Sequence, residues 1–387
     1  MVLADGTIID TDGYHALSNL YLDLQGHSFP SIKRHPKRRD ALKALREFDK
    51  LLQGFPFESE EHRTAWFCAA LTSVRRRVLL SAPIFIFDAP VPATGKTKLA
   101  QIIGVLATGR LPAVATWTPR EEENEKRLHA AFLAGDPVLL IDNVSQGSTL
   151  EGATLEAALT SPMLDVRILG ESRTVKVSAN VLILATGNNI AVGRETTRRV
   201  VRIRLLPDTE NPELRTFAFD PVERALNSRE KLVSALLTIY MAYIKAGRPA
   251  VGSHPIASFE QWSRETRDPF LWLGLPDFAG DIETAIPSDT DRDSVTEMLD
   301  AWYEQFGEDW IYAKTVASEA LTDLRSAIRD VIEKDFWNSK QLAKVLAKRT
   351  GGIVGPYQIQ SKTGDHRTSL WRVRRLDTQE PAAPRGE

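Results

Sequence analysis

Apolar positions along the chain fall into distinct patterns. Between 84 and 206 they form short, nearly unbroken runs: "IFIFD" (84–88), "AVATW" (113–117), "VLLID" (138–142), "VLILAT" (181–186) and "VVRIRL" (200–205). Such runs predict strands buried on both faces, and the helical stretches between them predict a parallel sheet, an α/β core. Upstream, Ala41, Leu42, Leu45, Phe48 and Leu51 recur at helical spacing after the basic run "KRHPKRRD", and "EEHRTAWFCAALTSVRRRVLL" continues as helix. The first thirty or so residues predict short strands broken by Asp-Gly turns at 5–6 and 12–13. Downstream, the polar, proline-bearing "LPDTENPE" (206–213) predicts a boundary. After it comes a long helix, "VERALNSREKLVSALLTIYMAYIKAG", capped at Gly247. A loop-rich stretch around 276–292 precedes further helix. The expected organisation is a small N-terminal region (1–50), an α/β core (51–206), a helical lid or connector (207–335), a compact C-terminal domain (336–376) and a disordered tail (377–387).

The loop after "IFIF" carries the first chemistry. "APVPATGKT" (89–97) ends in Gly95-Lys96-Thr97, as phosphate-binding loops do, but has Pro90 where the pattern asks for glycine. A phosphate loop works because successive backbone N–H groups and a helix N-terminus converge on an anion. Those donors, from Thr94 to Thr97, are intact. Ala93 replaces a second common glycine; a positive φ there would cost alanine about 1–2 kcal/mol.

Three downstream segments, in their order along the chain, strengthen the reading. "DPVLLIDN" predicts a buried strand ending at Asp142, suited to orienting a magnesium ion with the Thr97 hydroxyl. "VLILATGNN" predicts another, presenting Asn188 and Asn189, uncharged amides able to orient a water beside a γ-phosphate. Arg198 and Arg199 come next, either able to reach a neighbouring subunit's nucleotide. The spacing is even, with Asp142 46 residues after Lys96 and Asn188 46 residues after Asp142.

The series "ATGKT … VLLIDN … ATGNN … RRVVRIRL" resembles AAA+ ATPases, and within them the hexameric branch of superfamily-three and minichromosome-maintenance-type helicases. With "FPF", "LTSPMLDVRILGES", "PELRTF" and "SFEQWS", it is similar over about residues 5–375 to replication ATPases of phages and integrated mobile elements. The resemblance implies an AAA+ P-loop domain that uses ATP and Mg2+. Thr94, Gly95, Lys96, Thr97 and Asn143 would line the nucleotide, and Thr97 and Asp142 would hold the metal. Asn188 would be the sensor, and Arg198 or Arg199 the finger acting in trans. The chain departs from the family at Ala93 and at Asn143, where many members place a glutamate base. An amide cannot accept the water's proton, which leaves Glu121, Glu122 and Glu123 as candidate bases; an acidic helix start also simply complements the helix dipole.

Nucleic-acid contact is expected in two places. "LDVRILGESRTVKVS" (164–178) alternates as a β-hairpin turning at Gly170-Glu171-Ser172, with Arg167, Arg173 and Lys176 opposite its apolar face. In the resembling helicases such a hairpin grips single-stranded DNA in the ring channel; a solvated edge with gatekeeper charges is the plainer alternative. The segment 336–375 sets Lys340, Lys344, Lys348, Arg349, Lys362, Arg367, Arg372, Arg374 and Arg375 against Asp365. It looks like a winged-helix domain for duplex DNA, with a recognition helix near 339–350 and a wing near 361–368; subunit docking is the alternative.

Composition narrows the classes. A net charge of −2 means nucleic acid must be met by local patches rather than a global field. Cys68, the one cysteine, excludes an intrachain disulfide and a cysteine-rich zinc site, and its apolar surroundings predict core packing. No apolar run approaches the ~18 residues of a membrane span and the N-terminus is not a signal peptide, so the expectation is a cytoplasmic protein. No primase-type carboxylate constellation is present, so primer synthesis would fall to a separate primase or initiator. The function expected is a hexameric DNA helicase or translocase of a phage or mobile element. The alternatives are a remodelling factor or helicase loader, or a non-hydrolysing DNA-binding scaffold.

Overall fold

The structure, a computed structural model, describes residues 1–16, 18–145, 148–168, 173–207, 219–251, 256–279, 290–332, 336–351, 353–364 and 368–376. The chain forms two compact units, Met1–Ala285 and Ile286–Glu387.

The first unit is built on a five-stranded parallel sheet with helices, P-loop-like in arrangement. Its strands are β1 (Ile84–Ala89), β2 (Ala113–Ala115), β3 (Val138–Val144), β4 (Leu182–Asn188) and β5 (Val200–Arg204), in the spatial order β5-β1-β4-β3-β2. Every residue of β1 is buried, as a central parallel strand requires. β2 departs from the expectation: it is shorter than 113–117, and Ala113 and Val114 are exposed because it closes the sheet's edge. From β1 the chain crosses toward the β2 edge, and from β4 it crosses back to β5. This reversal opens a crevice at the carboxyl ends of β1 and β4, the place where open α/β sheets bind ligands.

Helices Glu60–Arg75 and Lys96–Thr108 pack on each other, and the first is buried almost all round. Cys68 sits there at 0% exposure, and burial pushes its thiol pKa up, so it serves as core. The single helix expected over the 222–247 stretch is two, Pro221–Asn227 and Arg229–Lys245, with Gly247 in the left-handed region beyond the second. Arg229 is drawn onto the carbonyls of Val105 (2.9 Å) and Ala107 (3.2 Å), where it caps the C-terminus of the Lys96–Thr108 helix. The N-terminal residues share this core through Val2, Ala41, Ala44 and Phe48.

In the second unit, helices Thr290–Phe306, Ala313–Glu319, Thr322–Ile332 and Ser339–Arg349 accompany a four-stranded antiparallel sheet. Its strands run in the order Ile311–Tyr312, Ser369–Arg375, Tyr357–Thr363, Ile353–Val354. One core joins Val295, Leu299, Trp302, Leu324 and Ile328 to Leu342, Leu346, Ile359, Trp371 and Val373, so residues on both sides of position 336 contribute to it. The tail 377–387 lies outside the described residues. Among the described residues, no helix is long and apolar enough to cross a membrane.

Candidate nucleotide site

β1 delivers the loop into the crevice. Ala93 has φ +59°, the left-handed geometry in which alanine is strained, and Gly95 follows at φ +99°. Gly95 is required twice over, since a Cβ there would lie 2.9 Å from the ring of Phe55. The helix then starts at Lys96, with Gly95 as its N-cap, so the first backbone donors of the helix open onto the loop.

Lys96 stands at the centre of the loop. Its Nζ donates to the Val91 carbonyl (3.0 Å), Thr94 Oγ1 (3.1 Å) and Asn188 Oδ1 (2.7 Å). Burial lowers its pKa, opposed by the charge of nearby Asp88. Thr94 itself is 1% exposed. Lys96 and Asn188, read from the sequence in two separate segments, are thus within hydrogen-bonding distance.

A second cluster forms beside the first. Thr97 Oγ1 donates to Asp142 Oδ1 at 3.1 Å, and Thr186 Oγ1 donates to the same oxygen at 2.5 Å. The Asn143 N–H donates to Thr186 Oγ1 at 3.0 Å. The pairing of β3 with β4 shifts register between Ile141 and Val144, and Asn143 takes φ +57° within that irregularity. Asparagine tolerates this conformation well, and its side chain is left exposed. Thr97 and Asp142 fit Mg2+: they are hard oxygen ligands side by side, few enough to leave positions for water and phosphate oxygens. Among the described residues there is no group of three or more His, Cys, Asp or Glu side chains able to hold a metal on its own.

Three members of the site escaped the sequence reading: Asp88, Thr186 and Arg202. Asp88, fully buried at the end of β1, accepts from the Ala89 N–H (2.9 Å) and the Ile190 N–H (3.3 Å). Arg202 on β5 holds its other oxygen at 2.7 Å, with Arg204 at 3.6 Å. Because the Asn189 N–H also donates to the Ala89 carbonyl (3.2 Å), the start of the loop and the Asn188–Ile190 turn are tied at two points. The available signals were an acid closing the apolar run "IFIFD" and arginines alternating in "VVRIRL".

Arg198 and Arg199 differ. Arg198 is exposed and, among the described residues, pairs locally with Glu195. Arg199 is mostly buried, turned onto the Glu195 carbonyl and 3.7 Å from Glu156. β5 runs parallel to β1 from Val200↔Ile84 to Arg204↔Asp88, so both arginines precede the strand's start. They stand at the opposite end of the sheet from their own loop, with four strand steps, roughly 13 Å, between Ile84 and Asp88. Glu121 and Glu122 are exposed at a helix start, and Glu123 pairs with Lys126 at 2.8 Å, which lowers the Glu123 pKa.

The basic residues lie on exposed elements. Strands Met163–Arg167 and Thr174–Ser178 pair antiparallel, with Leu164 opposite Val177 and Val166 opposite Val175 on one face. Arg167, Arg173 and Lys176 are exposed; the turn at 170–172 lies outside the described residues. In the second unit, Leu342 and Leu346 of helix Ser339–Arg349 face the core while Lys340 and Lys344 are exposed, as is Lys362. Arg367 and the side chain of Lys348 lie outside the described residues.

No family model and no curated protein matches the chain. Solved structures similar to it include the apo C-terminal region of NrS-1, at 14% identity and TM-score 0.42, covering 93% of this chain and 78% of that one. The JCV helicase is similar at 17% identity and TM-score 0.30, covering 67% of this chain and 71% of that one. Both likenesses are loose, and the functional reading rests on the site's own geometry.

Proposed function

We propose that the chain is an AAA+-type ATPase that forms a hexameric ring and drives it along DNA, as a replicative helicase of a phage or mobile element. The observation that carries this is the meeting of Lys96, Thr97, Asp142 and Asn188 at the carboxyl ends of β1, β3 and β4, through contacts of 2.7 to 3.1 Å. With ATP bound, Lys96 would exchange its three protein partners for the outer phosphates. Asn188, released from Lys96, would then hold the attacking water without adding negative charge. Thr97 and Asp142 would hold Mg2+, which neutralises charge on the phosphates. Arg198, exposed and at the far end of β5 from its own loop, suits a neighbour's γ-phosphate better than half-hidden Arg199. The ring would expose Arg167, Arg173 and Lys176 to single-stranded DNA, and a winged-helix C-terminal unit would meet duplex through Lys340 and Lys344 of its helix.

ATP turnover with and without single-stranded DNA, together with strand displacement on a fork, tests the proposal. Stimulated turnover with unwinding is expected. Turnover without unwinding would make the chain a remodelling factor or loader. The exposed amide of Asn143, where a base is common, and the strained Ala93 favour a second reading, a non-hydrolysing scaffold. DNA binding with no turnover at all would establish that one instead.

A further inference from the structure

The second unit carries a basic surface that the helix Ser339–Arg349 does not account for. Strands Tyr357–Thr363 and Ser369–Arg375 pair along their whole length, from Tyr357↔Arg375 to Thr363↔Ser369. Alternate side chains, Tyr357, Ile359, Trp371 and Val373, enter the core. The intervening ones, Gln358, Gln360, Lys362, Leu370, Arg372 and Arg374, belong to the sheet's other face and are exposed or half-buried. None of these six is acidic, and three are cations.

Trp310, just before the strand Ile311–Tyr312, joins this face. Lys362 Nζ lies 4.4 Å and Arg372 Cζ 4.8 Å from its ring centroid, and Arg372 Nε donates to Gln360 Oε1 at 3.1 Å. The ring is half-buried, unlike the unit's core tryptophans Trp302 and Trp371 at 0% and 4% exposure. Cation–π contact with Trp310 holds two long, flexible cations close together, which reduces what ordering them on a ligand would cost.

A sheet face whose cations surround one half-buried aromatic ring matches an unpaired strand, whose bases are free to meet a ring while its phosphates track the cations. A convex helix carrying lysines suits a duplex groove. We propose that the Trp310–Lys362–Arg372–Arg374 face binds single-stranded DNA, a site separate from the duplex-binding helix. It rests on the reading that the chain acts on DNA, but not on ATP hydrolysis.

The test is fluorescence anisotropy of the full chain without nucleotide, using a labelled short oligothymidylate and, separately, a labelled duplex. Arg173→Ala with Lys176→Ala serves as the background, to weaken the hairpin's own contribution. In it, Lys362→Gln with Arg372→Gln should weaken oligothymidylate binding about tenfold and flatten the slope of log K against log salt by about 1.4. Duplex affinity should change less than about twofold, since the helix cations are intact. Trp310→Phe should retain more single-strand affinity than Trp310→Leu, as a ring-dependent contact requires. Lys340→Ala with Lys344→Ala should give the reverse pattern, weakening duplex binding only. Unchanged single-strand affinity and slope in the Gln variants would overturn the proposal, as would equal losses on both DNAs, which would make the face part of the duplex interface. Failure of the unsubstituted chain to bind either DNA would instead overturn the underlying DNA reading.

Discussion

In the first unit, the side chains that meet at the loop are buried and bonded to one another. Asp88 is 0% exposed and Lys96 8%, and each has at least three partners, including one or more on another strand or turn. In the second unit, Lys340, Lys344, Lys362 and Arg374 are exposed and, among the described residues, held at most by a ring. The contrast matches the tasks proposed for the two surfaces. A buried cluster stabilises charge in one geometry, so deleting one member strands the others without water to replace it. An exposed set of cations trades counterions for phosphates one contact at a time, so its losses should be small and additive. Substitutions at the two places should therefore differ in kind as well as size.

The largest effect is expected from Lys96→Ala. It removes the loop's only cation and should lower ATP turnover at least about a hundredfold with folding intact, measured by phosphate release beside a thermal melt. Normal turnover in this variant would break the nucleotide assignment. Arg198→Ala should also stop turnover, by about a hundredfold or more, while nucleotide binding measured by titration stays near normal. Mixed with Lys96→Ala subunits, it should recover part of the activity, because some interfaces then pair an intact loop with an intact finger. No recovery, with subunit exchange demonstrated, would count against action in trans.

Asp88→Asn strands Arg202 beside the loop and should cost the first unit about 3 kcal/mol, read as a lowered urea midpoint of that unit's transition. An unchanged midpoint would mean the buried cluster is no more cooperative than a surface pair. Ala93→Gly should stabilise the same unit by about 1 kcal/mol and leave turnover equal or higher, because glycine accepts the observed φ without strain. The smallest effect belongs to the exposed set. Lys340→Ala and Lys344→Ala should each flatten the duplex salt slope by about 0.9, and together by about twice that. Marked non-additivity there would erase the contrast between the units.

What the sequence determined by itself is local. Gly95-Lys96-Thr97 after a strand, Asp142 and Asn188 at strand ends, and the alternation of Leu164, Val166, Val175 and Val177 each declare themselves within a dozen residues, because loop, strand and hairpin chemistry is written in neighbours. The positive φ at Ala93 was legible as a question, and the backbone supplied the sign. What only the tertiary structure decided involves partners distant in the chain. Arg202 finds Asp88 across 114 residues, and Thr186 finds Asp142 across 44, because parallel crossovers bring distant strand ends to one edge. The adjacent arginines 198 and 199 are alike in sequence and differ in their surroundings, Arg199 turning onto the Glu195 carbonyl and toward Glu156 while Arg198 pairs with the Glu195 side chain. Trp310 reads as one more apolar residue until pairing of Ile311–Tyr312 with Ser369–Arg375 sets it beside Lys362 and Arg372. Periodicity says which face of an element is apolar. Which other element meets that face is chosen by packing of the whole chain, and here that choice assembles the buried cluster and the basic face alike.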